Sequence, residues 1–335
     1  MALGPRGIGL LSEPALAALD PAVSVALAAL GVFVGLDIKV RRPREDRLLA
    51  AASLEAGATI LVVSGGALLV HVLSPSPSLA NPWLFAVLLG LCASSSSTPA
   101  QASTETRQSA TLRIGDLDDV LPIVLGALAL AWAREGTPAA SVWVLAQSVV
   151  VALMIALAAR LLVAETASDS EQRVFAIGAL LLLGGTAAHL SLSALFVGFL
   201  AGVFWNAAGP RELDALERDL RYLQHPLTVL LLIVAGSRVT FSAGVAGLVL
   251  AYVILRTGAK LVGGWLASAV VAPELPRDVG FHLTSPGIVG IAFALNALQA
   301  RGDLPIASTL FTVVVAGSLA SDALSLLALR REVPA

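Results

Sequence analysis

Charged residues are the scarcest class in this sequence. Of 335 residues, 13% are charged and 57% are hydrophobic, whereas about 25% of an ordinary globular protein is charged. So few charges cannot cover a water-facing surface of this size, and the mean hydropathy of +0.87 agrees. The composition therefore predicts an integral membrane protein of the cell (inner or plasma) membrane, surrounded mostly by lipid.

Other absences exclude whole classes of function. Cys92 is the single cysteine, so an intramolecular disulfide and a cysteine metal cluster are excluded, and we expect the thiol to be buried. No lysine- or arginine-rich tract with interleaved aromatics is present, which argues against nucleic acid. No nucleophile–histidine arrangement, P-loop or metal-ligand cluster appears, so the sequence predicts neither an enzyme nor a bound cofactor. The N-terminus lacks the pattern of a cleaved signal peptide.

Long apolar runs fill the chain instead. A bilayer core about 30 Å thick needs roughly 20 apolar residues in a helix, and this measure predicts an all-α protein of about eleven transmembrane helices. The spans lie near 21–38, 48–73, 82–99, 111–133, 141–164, 172–190, 192–208, 226–242, 243–270, 279–300 and 305–329. The segment 209–224 has an amphipathic pattern that predicts a short helix on the membrane surface.

The placement of lysine and arginine predicts the orientation. With the 39–47 loop inside, only four of the 21 basic residues fall outside and two lie within a span, which leaves 15 on the inner side or at its margins. The positive-inside rule predicts such a bias. We therefore expect an outer N-terminus and a cytoplasmic C-terminus.

Two of the predicted spans are interrupted. The third contains Ser94–Ser97, Thr98 and Pro99, and the tenth contains Thr284, Ser285, Pro286 and Gly287. Non-helical backbone at membrane depth is tolerated only in protein or beside a cavity, and paired interruptions in two halves indicate a transporter's substrate site. Spans two to four and nine to eleven follow the same order, which predicts inverted repeats. Simple proline kinks are the alternative.

The fourth span carries two adjacent acids, Asp118 and Asp119. An ionised carboxylate at that depth is costly unless paired or hydrated, so such residues mark ion or proton pathways by default. A structural ion pair or a misplaced span boundary is the alternative. Asp116 is closer to the inner surface, and Pro122 follows within one turn, where we expect a kink.

The complementary charges lie in the ninth span. Arg256 and Lys260 are four residues apart and share one helix face. Snorkelling to the interface would explain either one alone, but Lys260 has about ten residues of span beyond it, which favours a buried role. Glu55 and Asp322 are weaker candidates, with a core contact as plausible for each as a role in ion handling.

Ordered motifs in the chain resemble those of the monovalent cation:proton antiporters, the bacterial sodium/proton exchanger superfamily. The sequence LDDVL at 117–121 resembles the double-aspartate motif of that family. GPRGIGLL, GVFVGLDIKVRR, CASSSSTPAQ, LSLSALFVGFLAGVF, AKLVGGWLAS and SPGIVGIAFALNAL resemble further family segments in the family's order. The resemblance covers about residues 4 to 330.

This resemblance implies a fold and a set of site residues. Asp119 would bind the cation and the proton in turn, Asp118 would pair with Lys260, and Thr98 would lie where the broken helices meet. Weaker candidates are Ser97, Asp116, Arg256, Ser285 and Asp322. The implied domains are a first panel helix and basic loop (1–47), core repeat 1 (48–135), a linker helix (136–171), panel helices (172–242), core repeat 2 (243–330) and a short cytoplasmic tail (331–335), with a homodimer formed through the panel.

The residues and the resemblance together predict a secondary active transporter that exchanges a monovalent cation (Na+, Li+ or K+) for protons by alternating access. Two alternatives stay open: an ion-coupled carrier of an organic solute with the same architecture, and a degenerate membrane protein that transports nothing. An intramembrane aspartyl protease is disfavoured because its two acids lie on separate helices, whereas Asp118 and Asp119 are adjacent.

Overall fold

The computed structural model describes ten stretches of the chain. They are residues 11–38, 43–73, 81–97, 106–164, 169–208, 214–240, 243–273, 275–276, 278–300 and 305–329. Helices account for 89% of the structure, and the described stretches contain no β-strand. The all-α class predicted from the sequence is confirmed.

The chain divides into two compact units, and unit 1 comprises residues 1–39, 127–238 and 299–301. Its helices are α1 (Glu13–Ala18), α2 (Asp20–Leu36), the second part of α6 (Val120–Glu135), α7 (Pro138–Ala164), α8 (Asp169–His189), α9 (Ala194–Ala208) and α10 (Asp214–Arg238). Helices α2 and α9 pack against each other in this unit. Each carries two glycines four residues apart, the small-residue spacing that lets membrane helices approach closely.

The glycine spacing is required by the geometry of that pair. A Cβ atom at Gly31 of α2 would lie 2.7 Å from the backbone nitrogen of Phe199. A Cβ atom at Gly198 of α9 would lie 2.8 Å from the Cα of Ala28. Both distances are shorter than a carbon atom tolerates, so the backbones can pack this closely only because these side chains are absent.

Unit 2 comprises residues 40–126, 239–298 and 302–335. Its helices are α3 (Pro43–Leu73), α4 (Pro82–Ser94), α5 (Thr106–Leu117), the first part of α6, α11 (Ala243–Leu266), α12 (Val279–His282), α13 (Ile288–Ala300) and α14 (Pro305–Leu329), with a π-helical turn at Ala267–Val271. Helices α3, α4, α11 and α14 pack side by side in this unit. Cys92 of α4 is buried among them, as the sequence predicted.

Four helical segments are long and apolar enough to cross a membrane, judged on the described residues by length and composition. They are Arg47–Leu73, Pro138–Val163, Gly244–Val271 and Ile306–Ser325. Shorter apolar helices are Asp20–Leu36, Pro82–Ser94, Ala194–Ala208 and Ile288–Ala300. Large apolar side chains such as Leu61, Met154 and Ile254 are exposed on the long helices, where lipid would cover them. These features indicate an α-helical membrane protein, while the count of eleven spans and the orientation stay predictions.

The fourth predicted span differs from the expected single helix. Helix α5 ends at Leu117 and α6 begins at Val120, so Asp118 and Asp119 lie in a turn between two helices. The cause is Pro122, which has no N–H group and whose ring clashes with the carbonyl four residues earlier, that of Asp118. Each helix keeps its hydrogen bonding up to the turn, because Asp118 N donates to Ile114 O and Ile123 N donates to Asp119 O.

A second difference concerns the segment before the eighth predicted span. The sequence predicted a separate surface helix within 209–224, followed by a new helix from 226. The structure has one helix, α10, that runs through Pro226 without ending. Proline fixes φ near the helical value, so it costs one hydrogen bond and need not end a helix that its neighbours support.

Candidate ion-binding site

The two interrupted helices of unit 2 meet at their breaks. Helix α4 ends at Ser94, and the tenth predicted span is interrupted between α12 and α13. Ser97 N donates to Ser285 O at 3.0 Å, and Gly287 N donates to Ser95 O at 3.2 Å. These two bonds form an antiparallel bridge between Ser96 and Pro286. Each break thereby supplies partners for backbone groups of the other, which water cannot do inside a membrane.

Gly287 makes the approach of the two breaks possible. A Cβ atom at this position would lie 2.9 Å from the carbonyl oxygen of Ser96 and 3.0 Å from its carbonyl carbon. Backbone atoms cannot rotate away as a flexible side chain can, so any larger residue would push the two breaks apart. The glycine in the second break is therefore a requirement of the crossing.

Arg256 of α11 joins both breaks from one side. Its buried guanidinium donates to Ser95 O at 2.9 Å, to Ser285 O at 3.3 Å and to Thr284 O. A planar guanidinium presents several donors in a fixed fork, so one side chain can serve carbonyls from two segments at once. Its charge also opposes the partial negative charge of carbonyls at the end of α4.

Lys260 lies one turn further along α11 and is fully buried. Its Nζ atom lies 3.1 Å from Asp118 Oδ2, from both carboxylate oxygens of Glu55 and from Ser96 Oγ, and it also donates to Ser94 O. Glu55 and Asp118 are also fully buried. A buried charge persists only when it is paired and hydrogen-bonded, and Lys260 satisfies both conditions.

The two adjacent acids have different surroundings. Asp118 uses Oδ2 to accept from Lys260 and from the Ser96 hydroxyl. Its Oδ1 atom, Asp119 Oδ1 and Ser95 Oγ are buried and have no hydrogen-bond partner within the described ranges. Asp118 and Ser95 lie close to the Asp119 carboxylate, although the Ser95 hydroxyl makes no hydrogen bond of normal geometry to it. The crossing therefore gathers oxygen atoms that can accept a proton or coordinate a hard cation.

No family model matches this sequence, and no curated protein matches it. The likeness to cation:proton antiporters thus rests on the ordered motifs alone and stays a prediction.

The weaker candidates lie around this centre. Ser97 Oγ lies 3.1 Å from Ser285 Oγ and donates to Pro286 O at 2.9 Å, and Ser285 Oγ donates to Asp322 Oδ1 at 3.0 Å. Asp322 and Asp116 are exposed, so neither is an acid within the buried group. Thr98, predicted at the meeting point of the broken helices, lies outside the described residues.

Glu55 is the residue whose importance the sequence did not reveal. In the sequence, a core contact or a place near the inner headgroups is as plausible for Glu55 as a role in ion handling, so the sequence does not single it out as a site residue. The structure puts both of its carboxylate oxygens on Lys260. A signal was present, because an acid inside an apolar span needs a cation, and Arg256 and Lys260 are the two basic residues predicted well inside a span and not at its margin. Which of the two cations it meets could be learned only from the packing of α3 against α11.

Proposed function

We propose that this protein is a secondary active transporter that exchanges a monovalent cation (Na+, Li+ or K+) for protons by alternating access. One observation carries the proposal: adjacent acids lie where two interrupted helices cross, and their Oδ1 atoms are buried without a hydrogen bond in the described ranges. Interrupted helices at such a crossing are a recurring device of ion-coupled transporters. Oxygen atoms from carboxylates and hydroxyls suit small hard cations.

The charges explain why a proton and a cation would compete. Asp119 lies next to Asp118 and is buried, so its negative charge is costly unless something positive binds it. A proton or a monovalent cation removes that charge, and either one prepares the site to change its access. Lys260 would hold Asp118 when nothing is bound and release it when a cation arrives. The two acids act as a coupled pair, so their protonation belongs to the pair.

The core and the dimer in this proposal follow from the resemblance, whereas the membrane follows from the composition and the orientation from the positive-inside rule. The core would be formed by the two repeats within 48–135 and 243–330, and a homodimer would form through the panel helices. The membrane would be the cell membrane, with the N-terminus outside and the C-terminus in the cytoplasm. A cross-linking measurement of the oligomeric state in native membranes tests the dimer.

The decisive experiment measures exchange in a reconstituted system. Purified protein in proteoliposomes with an internal pH dye is given an outward proton gradient, and Na+, Li+ or K+ is then added outside. We expect cation-dependent proton movement, and we expect Asp119→Asn to abolish it while the protein still folds. The matched control is Asp278→Asn, the same chemical change at an exposed carboxylate.

Three results would contradict the proposal. Wild-type exchange rates in Asp119→Asn would remove Asp119 from the mechanism. Proton movement that requires an organic solute would favour the solute carrier. No flux of any ion from well-folded protein would favour a membrane protein without transport activity.

A further inference from the structure

Lys260 has two carboxylate partners, and the two are not equivalent. Glu55 places both Oε1 and Oε2 at 3.1 Å from Nζ, whereas Asp118 contacts Nζ through Oδ2. The second oxygen of Asp118 has no hydrogen-bond partner within the described ranges. Both carboxylate oxygens of Glu55 therefore lie beside the ammonium, whereas Asp118 contacts the ammonium through one oxygen.

The position of Glu55 is fixed by the packing of α3 against α11. Gly263 follows Lys260 by about one turn of α11, and a Cβ atom there would lie 2.9 Å from Glu55 O and 3.3 Å from Glu55 Cγ. The absence of a side chain at Gly263 lets the two helices approach at this level. Thr59, one turn along α3, donates its hydroxyl to Glu55 Oε1 at 3.1 Å. Glu55 is therefore held both from its own helix and from the opposite one.

Charge pairing shows what the second carboxylate does. If Asp118 were the sole anion beside Lys260, releasing it to bind a cation would leave a fully buried ammonium unpaired, which is strongly unfavourable. With Glu55 in place, the ammonium keeps a partner whether or not Asp118 is released. Glu55 also divides the attraction of Lys260 between two acids, which weakens its hold on Asp118.

We infer that Glu55 is the permanent counter-ion of Lys260, a positioning residue that lets Asp118 exchange the lysine for the transported cation. This inference rests on the proposed function. It assigns Glu55 an indirect effect on cation affinity, exerted through Lys260, and no contact with the cation.

Kinetics of the reconstituted protein test this role. In Glu55→Gln, Lys260 has Asp118 as its one remaining carboxylate and competes harder with the cation, so the apparent KM for the cation should rise about tenfold or more. The rate at saturating cation should change much less. Adding Lys260→Gln removes the competitor, so the double variant should have a lower KM than Glu55→Gln alone. Glu55→Asp keeps the charge and should restore most of the affinity.

The control and the contrary results are equally specific. Glu135→Gln makes the same chemical change in unit 1 and should leave the KM unaltered. An unchanged KM in Glu55→Gln would overturn the inference. A double variant whose KM is no lower than that of Glu55→Gln would also overturn the inference. If the role of Glu55 were purely structural, losing Lys260 as well would damage the site further and would not lower the KM.

A measurement without transport separates this inference from the proposed function. Melting temperatures of the detergent-solubilised protein should fall further for Glu55→Gln than for Asp118→Asn, because Glu55 makes the fuller contact and Asp118 also repels Asp119. The double variant Glu55→Gln with Lys260→Gln should melt above Glu55→Gln alone. If the melting temperatures follow this order but the protein shows no exchange activity, the proposed function is rejected and the pairing of Glu55 with Lys260 is retained. The reverse order would reject the pairing, whatever the exchange assay gives.

Discussion

Replacing Arg256 with methionine tests whether one buried cation holds the two breaks together. The guanidinium donates to three carbonyls, of Ser95, Thr284 and Ser285. At about 1.5–3 kcal/mol for each charge-assisted hydrogen bond, their loss alone would cost roughly 5–9 kcal/mol. Methionine fills a similar volume without the charge, so the variant probes the hydrogen bonds more than the packing.

Two effects reduce this upper bound. Ser95 O and Ser285 O keep one partner each, the backbone N–H groups of Gly287 and Ser97. Removing the guanidinium also relieves its desolvation cost, which is several kcal/mol for a buried ion. We therefore expect Arg256→Met to lower the free energy of unfolding by about 2–4 kcal/mol. The control is Arg160→Met, the same change at a half-buried position, which should lower it by no more than about 0.5 kcal/mol.

The assay is thermal unfolding in detergent, followed by tryptophan fluorescence. At roughly 2 °C per kcal/mol for a chain of this size, Tm should fall by about 4–8 °C. The melting temperature of Arg256→Lys should lie between those of the wild type and Arg256→Met. An ammonium keeps the charge but lacks the planar guanidinium donors that reach both breaks. A melting temperature for Arg256→Met equal to that of Arg160→Met would refute the reasoning.

Three further changes test other parts of the structure. Gly287→Val should abolish exchange and lower Tm, because its Cβ would meet the Ser96 backbone at 2.9–3.0 Å; normal exchange in proteoliposomes would contradict this. Lys260→Gln should lower the free energy of unfolding by about 3–5 kcal/mol, because it leaves two buried carboxylates without their cation. Chemical unfolding measures this loss, and a loss smaller than that of Arg256→Met would be evidence against the prediction. Gly31→Val should separate α2 from α9 and reduce the yield of folded protein in size-exclusion chromatography, whereas Gly178→Val, with open space around it, should not.

The sequence predicted those features that depend on local chemistry. The apolar runs identified helices, because a backbone in lipid must satisfy its hydrogen bonds within the segment. The serine-rich stretch and the Thr-Ser-Pro-Gly stretch located both breaks within a few residues, since proline and glycine act on their immediate neighbours. The shared face of Arg256 and Lys260 followed from their spacing of four.

Features that depend on packing between distant segments could not be predicted. Glu55 lies 205 residues before Lys260, and no pattern near either residue indicates which acid meets which cation. The turn at Asp118 and Asp119 was suggested by Pro122, yet α10 passes through Pro226 without ending. Whether a proline ends a helix depends on which neighbouring groups replace the lost hydrogen bond, and those neighbours are known only in the folded protein.

The long separation between partners has a consequence for biosynthesis. Glu55 and Asp118 precede Lys260 by 205 and 142 residues, so the ribosome adds both acids long before their cation. At about 5–20 residues per second, the interval for Glu55 is roughly 10–40 s. During that time the nascent chain carries two acids whose ammonium has not been made, and the crossing that surrounds them cannot close before Gly287 is inserted. The centre of this protein can therefore form only after most of the chain has been made, and a chain that stalls before Lys260 carries two buried-type acids without their cation.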